Sequence, residues 1–262
     1  MGPAVWTVLG AGSILPRAGY GCSGYALVAE PGGGITLFDC GPGTLRSLAA
    51  SGLGLSDLGR VVISHFHPDH CLDLAALAFA RRNPNSEARP LELVGPHGLG
   101  DWLERVAGAL GPSVRFEGVR VREVRPGDSL PAASESEPTL SCVATGHTAE
   151  ALAWRADLGA RGSVVYSGDS GEVDALAELA RDTDLFVCEC SFPEREAIPS
   201  HLTPRGAGRL AQRARCRTLL LTHFYPSMQP ARAAIEAGEV FDGAVELARD
   251  GSRHFLLEAP WS

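Results

Sequence analysis

Ser64-His65-Phe66-His67-Pro68-Asp69-His70 packs three imidazoles and a carboxylate into six positions directly after the apolar run Val61–Ile63. A loop leaving the end of a buried strand can turn all four inward onto one point. Clustered imidazole nitrogens with few carboxylates favour zinc over magnesium or calcium. Such an ion makes hydrolytic chemistry available, because it acidifies bound water and polarises the bond under attack. The chain has only eight histidines, and two more continue the pattern. His147 follows an apolar run in Thr145-Gly146-His147-Thr148, and His223 follows another in Leu221-Thr222-His223-Phe224. Asp169, in Ser167-Gly168-Asp169-Ser170, closes a third run.

The elements that must position these groups are short. Strands are expected at Val5–Leu9, Tyr25–Ala29, Ile35–Phe38, Val61–Ser64, Leu91–Val94 and Val114–Val124 in the first half. The second half offers Leu140–Ala144, Ala151–Ala156, Ser163–Ser167, Leu185–Cys190 and Thr218–Thr222. Helices are expected at Thr44–Ser51, Leu72–Arg82, Leu99–Leu110, Val173–Ala180, Thr203–Arg213 and Pro230–Ala237. In Leu72–Arg82, Leu72, Ala75, Ala76 and Phe79 share one apolar face. Pro126–Pro138 reads as loop. Both halves place strands first and helices later, with no linker between them, which predicts one α/β domain over residues 1–262 with two sheets covered by helices. Ligands at strand ends suit that arrangement, because an open sheet presents them to a crevice.

With these residues in view, the chain resembles the metallo-β-lactamase superfamily, in its ribonuclease Z-like and phosphodiesterase branch. The match runs over nearly the whole chain. It takes in Leu9-Gly10-Ala11-Gly12-Ser13, the turn Phe38-Asp39-Cys40-Gly41-Pro42-Gly43-Thr44, the H-x-H-x-D-H run, His147 and Asp169. It continues through Glu189 in Cys188-Glu189-Cys190-Ser191, His201 in His201-Leu202-Thr203, and His223. The resemblance implies a four-layer αββα sandwich with two mixed sheets flanked by helices, and two zinc ions at the sheet edge, with manganese or iron as alternatives. His65, His67 and His147 would hold the first ion, Asp69, His70 and His223 the second, and Asp169 would bridge them. A hydroxide between the ions would be the nucleophile, with Asp69 counted among the catalytic residues. His201 matches the phosphodiesterase-branch histidine that faces the leaving group, with Glu189 orienting it. Position 188 departs from the pattern, holding cysteine where the branch commonly has histidine. Asp39 would brace the ligand loops by hydrogen bonds without touching metal. A flavodiiron protein of the same fold would carry an acid at position 67, so His67 favours a hydrolase.

Composition narrows the chemistry from the other side. All 23 basic residues are arginine, against 31 acidic ones, for a net charge of −8. The absence of lysine removes a Schiff-base lysine, a Ser–Lys pair and a P-loop. Charge recognition then falls to metal ions and to arginines, of which Arg81-Arg82 and Arg205 lie nearest the motifs in sequence. The third position of a dinucleotide fingerprint is Leu15, and no serine elbow surrounds Ser23 or Ser170. Seven cysteines, an odd number within mostly apolar runs, suggest packing in a reducing compartment; Cys188 and Cys190 read as core and Cys71 as packing. No signal peptide or membrane span is evident, so a cytoplasmic protein is expected. His97 and His254 read as structural or surface residues.

The expected activity is hydrolysis of a small phosphodiester such as a cyclic nucleotide. The alternatives are a ribonuclease Z-type endonuclease maturing transfer-RNA 3′ ends, a thioester or lactone hydrolase, and a metal-stabilised binding module. The transfer-RNA reading is disfavoured on two counts. Ribonuclease Z carries a long RNA-clamping arm between the positions matching His147 and Asp169, whereas residues 148–168 read as a plain hairpin. An acidic chain is also poorly suited to phosphate-backbone binding. The resemblance leaves a homodimer open.

Overall fold

Val61, Val62 and Ile63 show how one apolar run serves two cores. Val62 points between the sheets and packs with Trp6, Phe38, Val94 and Tyr166. Val61 and Ile63 point the other way, under helices, with Leu74, Leu77 and Leu93. Strands buried on both faces read as continuous hydrophobic runs, which is why the chain lacks clean alternation.

The computed structural model describes residues 2–256 apart from 133 and 135. One mixed sheet contains β1 (Val5–Gly10), β2 (Gly24–Val28), β3 (Ile35–Cys40), β4 (Leu58–Val62), β5 (Glu92–Pro96), β6 (Arg120–Val124) and β14 (Arg253–Phe255), in the order β14-β1-β2-β3-β4-β5-β6. The other contains β7 (Ser129–Leu130), β8 (Thr139–Ala144), β9 (Leu152–Asp157), β10 (Ser163–Tyr166), β11 (Leu185–Glu189), β12 (Thr218–Thr222) and β13 (Ala244–Leu247), in the order β13-β12-β11-β10-β9-β8-β7. The outer face of the first sheet is covered by α1 (Thr44–Ala50), α3 (Asp73–Arg81) and α4 (Leu99–Leu110) through Leu48, Leu74, Leu77 and Leu99. Helices α5 (Asp174–Leu179), α6 (Pro204–Ala214) and α7 (Pro230–Gly238) cover the second through Leu176, Leu210, Ala211 and Ala237. The result is the expected αββα sandwich. The remaining helix, α2 (Pro68–Cys71), is one turn inside the histidine motif, started by Pro68. No helix among the described residues is long and apolar enough to cross a membrane.

Polar ties lock the sheets together along the edge where the motifs lie. Trp154 Nε1 donates to the Ile63 carbonyl at 3.2 Å, and Leu152 N to the Ser64 carbonyl at 2.9 Å. Tyr25 OH meets Thr222 Oγ1 at 2.8 Å, and Phe224 N donates to the Ala11 carbonyl at 3.0 Å. Two glycines are required by close approach. A Cβ on Gly41 would sit 1.9 Å from the Asp69 carbonyl oxygen; one on Gly168, at φ +56°, would sit 2.8 Å from Ser64 Cβ.

Three expectations about elements are corrected. On α3 the buried face is Leu74, Leu77 and Ala78, while Leu72 and Phe79 are exposed. Periodicity fixed the helix and left open which of two apolar stripes faces the sheet. The strand expected from Val114 begins only at Arg120, after a 3₁₀ turn at Pro112–Val114. The short strands β7, β13 and β14 were not anticipated; the latter two are edge strands whose residues are all at least partly exposed, so little apolar pattern marks them.

Candidate metal centre

Each motif residue lies at or just beyond the C-terminal end of a strand. Ile63-Ser64 carries the chain from β4 into His65, His67, Asp69 and His70; His147 follows β8, Asp169 follows β10, Glu189 ends β11 and His223 follows β12. The ligand atoms gather into two main groups, overlapped by a third set of Asp169, His201 and His223. His65, His67, His147 and Asp169 form one, and Asp69, His70 and His223 the other, with donor atoms in each group within 4.8 Å of one another. Asp169 faces both. Its Oδ2 is 3.6 Å from His147 Nε2 and 3.9 Å from His65 Nε2, while its Oδ1 is 3.2 Å from His70 Nε2 and 3.4 Å from His223 Nε2. Asp69 Oδ2 is 3.4 Å from His223 Nε2 and 3.8 Å from His70 Nε2.

Four of the five rings are held in one tautomer, while His67 turns its Nδ1 toward His147 Nε2, 3.1 Å away. His147 Nδ1 donates to the Ser200 carbonyl at 3.0 Å, and His70 Nδ1 to Asp39 Oδ2 at 2.6 Å. Ser64 Oγ gives its single proton to Asp39 at 2.7 Å, so His65 Nδ1, 3.0 Å away, must donate to it. Ser191 Oγ likewise gives its proton to Glu189, so His223 Nδ1, at 3.0 Å, donates to Ser191. Four Nε2 lone pairs are thereby turned inward, as in metal-ligating histidines whose other nitrogen is anchored.

Three of the converging atoms are buried without any hydrogen-bond partner: His65 Nε2, His70 Nε2 and Asp169 Oδ1. Leaving such atoms bare costs about 1–3 kcal/mol each, more when charged. A cation satisfies all of them together, so the donor set fits divalent metal ions. Burial and the nearby charge of His70 push His65 well below the usual histidine range, and burial lowers His147. Neutral imidazole is the form that binds metal. Asp69 is held at about 2 although burial opposes it, because His223 and His70 stabilise its charge. His70 is opposed by burial too, yet Asp169 and Asp39 outweigh it and raise it well above the usual range. The pull on that proton is the pull a metal ion would meet.

Asp39 is the brace. Fully buried at the end of β3, it adopts φ +55°, which a non-glycine residue rarely does. The conformation lets Oδ1 accept from Ser64 N at 2.7 Å, and Oδ2 from Ser64 Oγ, His70 Nδ1 and Tyr166 OH at 2.6–2.7 Å. Asp39→Ala is therefore expected to weaken metal binding about 10- to 100-fold, measured by competition with a chromogenic chelator. Unchanged affinity would remove Asp39 from the support of the site.

His201 stands beside both groups, its ring 4.5 Å from His147 and stacked with His223 at 6.1 Å. Its Nδ1 lies 3.0 Å from Glu189 Oε1 and 3.2 Å from Ser191 Oγ. Burial lowers its pKa, but the hydrogen bond and charge of Glu189 outweigh that and raise it. The N-terminal cap of α6 is made by Thr203, whose side chain accepts from Gly206 N, and not by His201. Cys188 and Cys190 are buried core, and Cys71 Sγ donates to the His67 carbonyl at 3.1 Å. His97 and His254 lie away from the centre, paired with Glu123 and Glu246. The arginines nearest in sequence are engaged elsewhere: Arg81 with the Arg89 carbonyl, Arg82 with Glu117 and Arg205 with Glu239. Ser64, Ser191 and Tyr166 were not assigned roles from sequence; Ser64, directly before His65, and Ser191, two positions beyond Glu189, carried a local signal, and Tyr166 carried none.

Residues 36–224 match the family model described as the beta-lactamase superfamily domain. The chain belongs to the metallo-β-lactamase superfamily. It is a metal-dependent hydrolase of the ribonuclease Z-like group. An uncharacterized protein of Mycobacterium bovis is 34% identical over 91% of this chain and 87% of its own length. A ribonuclease Z of the same species is 27% identical over 93% of this chain and 95% of its own. Among solved structures, the metallo-beta-lactamase fold protein YhfI from Bacillus subtilis superposes with a TM-score of 0.84 at 27% identity, covering 97% of this chain and 99% of that one.

Proposed function

We propose that this superfamily member is a dinuclear zinc phosphodiesterase acting, as one catalytic domain over residues 1–262, on a small phosphodiester such as a cyclic nucleotide. His65, His67 and His147 would hold one ion, Asp69, His70 and His223 the other, and Asp169 both. Two such ions supply ionised water at neutral pH and positive charge for phosphoryl oxygens. The chain's own residues supply the rest. Asp169 and Asp69 remain ionised, the anchored imidazoles present Nε2, and buried surroundings strengthen each interaction.

The observation that carries the reading is the His201–Glu189 pair beside the two ligand groups. A histidine with a raised pKa, its Nδ1 proton held by a buried carboxylate, can use Nε2 to protonate a departing alkoxide or to stabilise charge on it. A thioester hydrolase has less use for such a donor, since a departing thiolate is a much weaker base than an alkoxide.

Two observations support a small substrate over transfer RNA. Residues 148–168 contain β9 and β10, paired as a hairpin turned by residues 158–162, with no projecting arm. The chain is also more similar to a Mycobacterium bovis protein of another designation than to that species' ribonuclease Z. A cytoplasmic setting is part of the proposal, supported by seven unpaired cysteines.

The test is a parallel screen of zinc- and manganese-loaded protein. Turnover of bis(p-nitrophenyl) phosphate and of 2′,3′- or 3′,5′-cyclic nucleotides is expected. Strong thioesterase activity without any phosphodiesterase activity would overturn the proposal, and precise cleavage of a precursor transfer RNA would transfer it to the endonuclease reading.

A further inference from the structure

Next to His201 stands an aromatic wall that the roles assigned so far do not use. Tyr225 lies two residues beyond His223, on the loop leaving β12. Its ring is edge-on to both site histidines, 5.7 Å from His223 at 70° and 6.2 Å from His201 at 73°. Phe192, on the loop leaving β11, backs it at 4.7 Å and also meets His201 edge-on at 5.4 Å. Three rings thus fix the position of Tyr225. Both aromatic residues are only half-buried, so this wall borders the open side of the centre.

The Tyr225 hydroxyl has no hydrogen-bond partner among the described residues, unlike those of Tyr25 and Tyr166, which reach Thr222 and Asp39. Like any phenol it is protonated at neutral pH. A phenol at the open side of the centre, bonded to none of the described residues, is free to donate to an incoming group. The arginines nearest the motifs in sequence are committed elsewhere, so with one non-bridging oxygen of a phosphodiester facing the ions, the other is open to the phenol.

We propose that Tyr225 contacts the substrate directly, its hydroxyl donating to a non-bridging phosphoryl oxygen while Phe192 keeps the ring in place. This rests on the phosphodiesterase reading for the substrate but only on the wall for the oxyanion contact. A hydrogen bond to a charged oxygen contributes about 1.5–3 kcal/mol, which corresponds to roughly 10- to 100-fold.

Tyr225→Phe removes one oxygen and keeps every ring contact, so folding is preserved. With metal content unchanged by elemental analysis, kcat/KM toward a cyclic nucleotide is expected to fall roughly 10- to 100-fold. Inorganic phosphate, titrated calorimetrically into the metal-loaded protein, should bind about tenfold more weakly to the variant. If both quantities are unchanged, the contact does not exist. If wild-type protein turns over no phosphodiester yet the variant still loses phosphate affinity, the oxyanion contact stands and the substrate reading fails.

Discussion

Asp169→Ala is expected to lose both metal equivalents and to reduce hydrolysis to background. The carboxylate is almost wholly buried, and its two oxygens are divided between the two ligand groups. Removing it strips one ligand from each group and the negative charge that lets two cations lie close together. It also leaves His65 and His70 buried with inward nitrogens facing nothing, so thermal stability should fall with the metal. Asp169→Asn separates the two consequences: it keeps the shape and most packing but not the charge, and should retain more stability than metal. Elemental analysis of dialysed protein reads the result directly. Two full equivalents in Asp169→Ala would reject the bridge and would confine each ion to its own three remaining ligands.

The centre was more legible in the sequence than the means of holding it. His65, His67, Asp69, His70, His147, Asp169 and His223 all lie on segments that follow strands, and few histidines occur elsewhere, so local spacing and scarcity pointed to them. Of their supports the resemblance marked Asp39 as a brace, but the partners through which it works lie far apart in the chain. Asp39 acts through a left-handed backbone conformation and reaches Tyr166 across the sandwich, a pair separated by 127 positions. Ser191 matters because β11 and β12 run parallel and bring His223 alongside it, which only strand pairing reveals. Helix α3 makes the same point for the core: with apolar residues on two stripes, periodicity located the helix, but only the packing of Leu74 and Leu77 decided which stripe turned inward. Chemistry concentrated in a few uncommon residues is visible in one dimension, whereas orientation depends on contacts between distant elements.

His201→Ala is expected to lower kcat toward a cyclic nucleotide by about 10²–10⁴-fold, the usual contribution of a positioned general acid, while metal content stays at the wild-type level. The argument is one of division of labour. His65, His70, His147 and His223 have Nδ1 anchored and Nε2 turned to the candidate metal groups, but His201 has its Nδ1 anchored by a full carboxylate, Glu189, which favours the protonated ring. Its benefit must therefore scale with how much the departing oxygen needs a proton. A ribose alkoxide is a strong base and leaves poorly alone, whereas p-nitrophenolate leaves readily. The loss in His201→Ala should accordingly be large for the cyclic nucleotide and several-fold smaller for bis(p-nitrophenyl) phosphate. Glu189→Gln, which keeps an acceptor for His201 and Ser170 but removes the charge, should show the same leaving-group trend at reduced size. Equal losses on both substrates, or a loss of metal in parallel with activity, would show that His201 serves the metal groups and not the leaving oxygen.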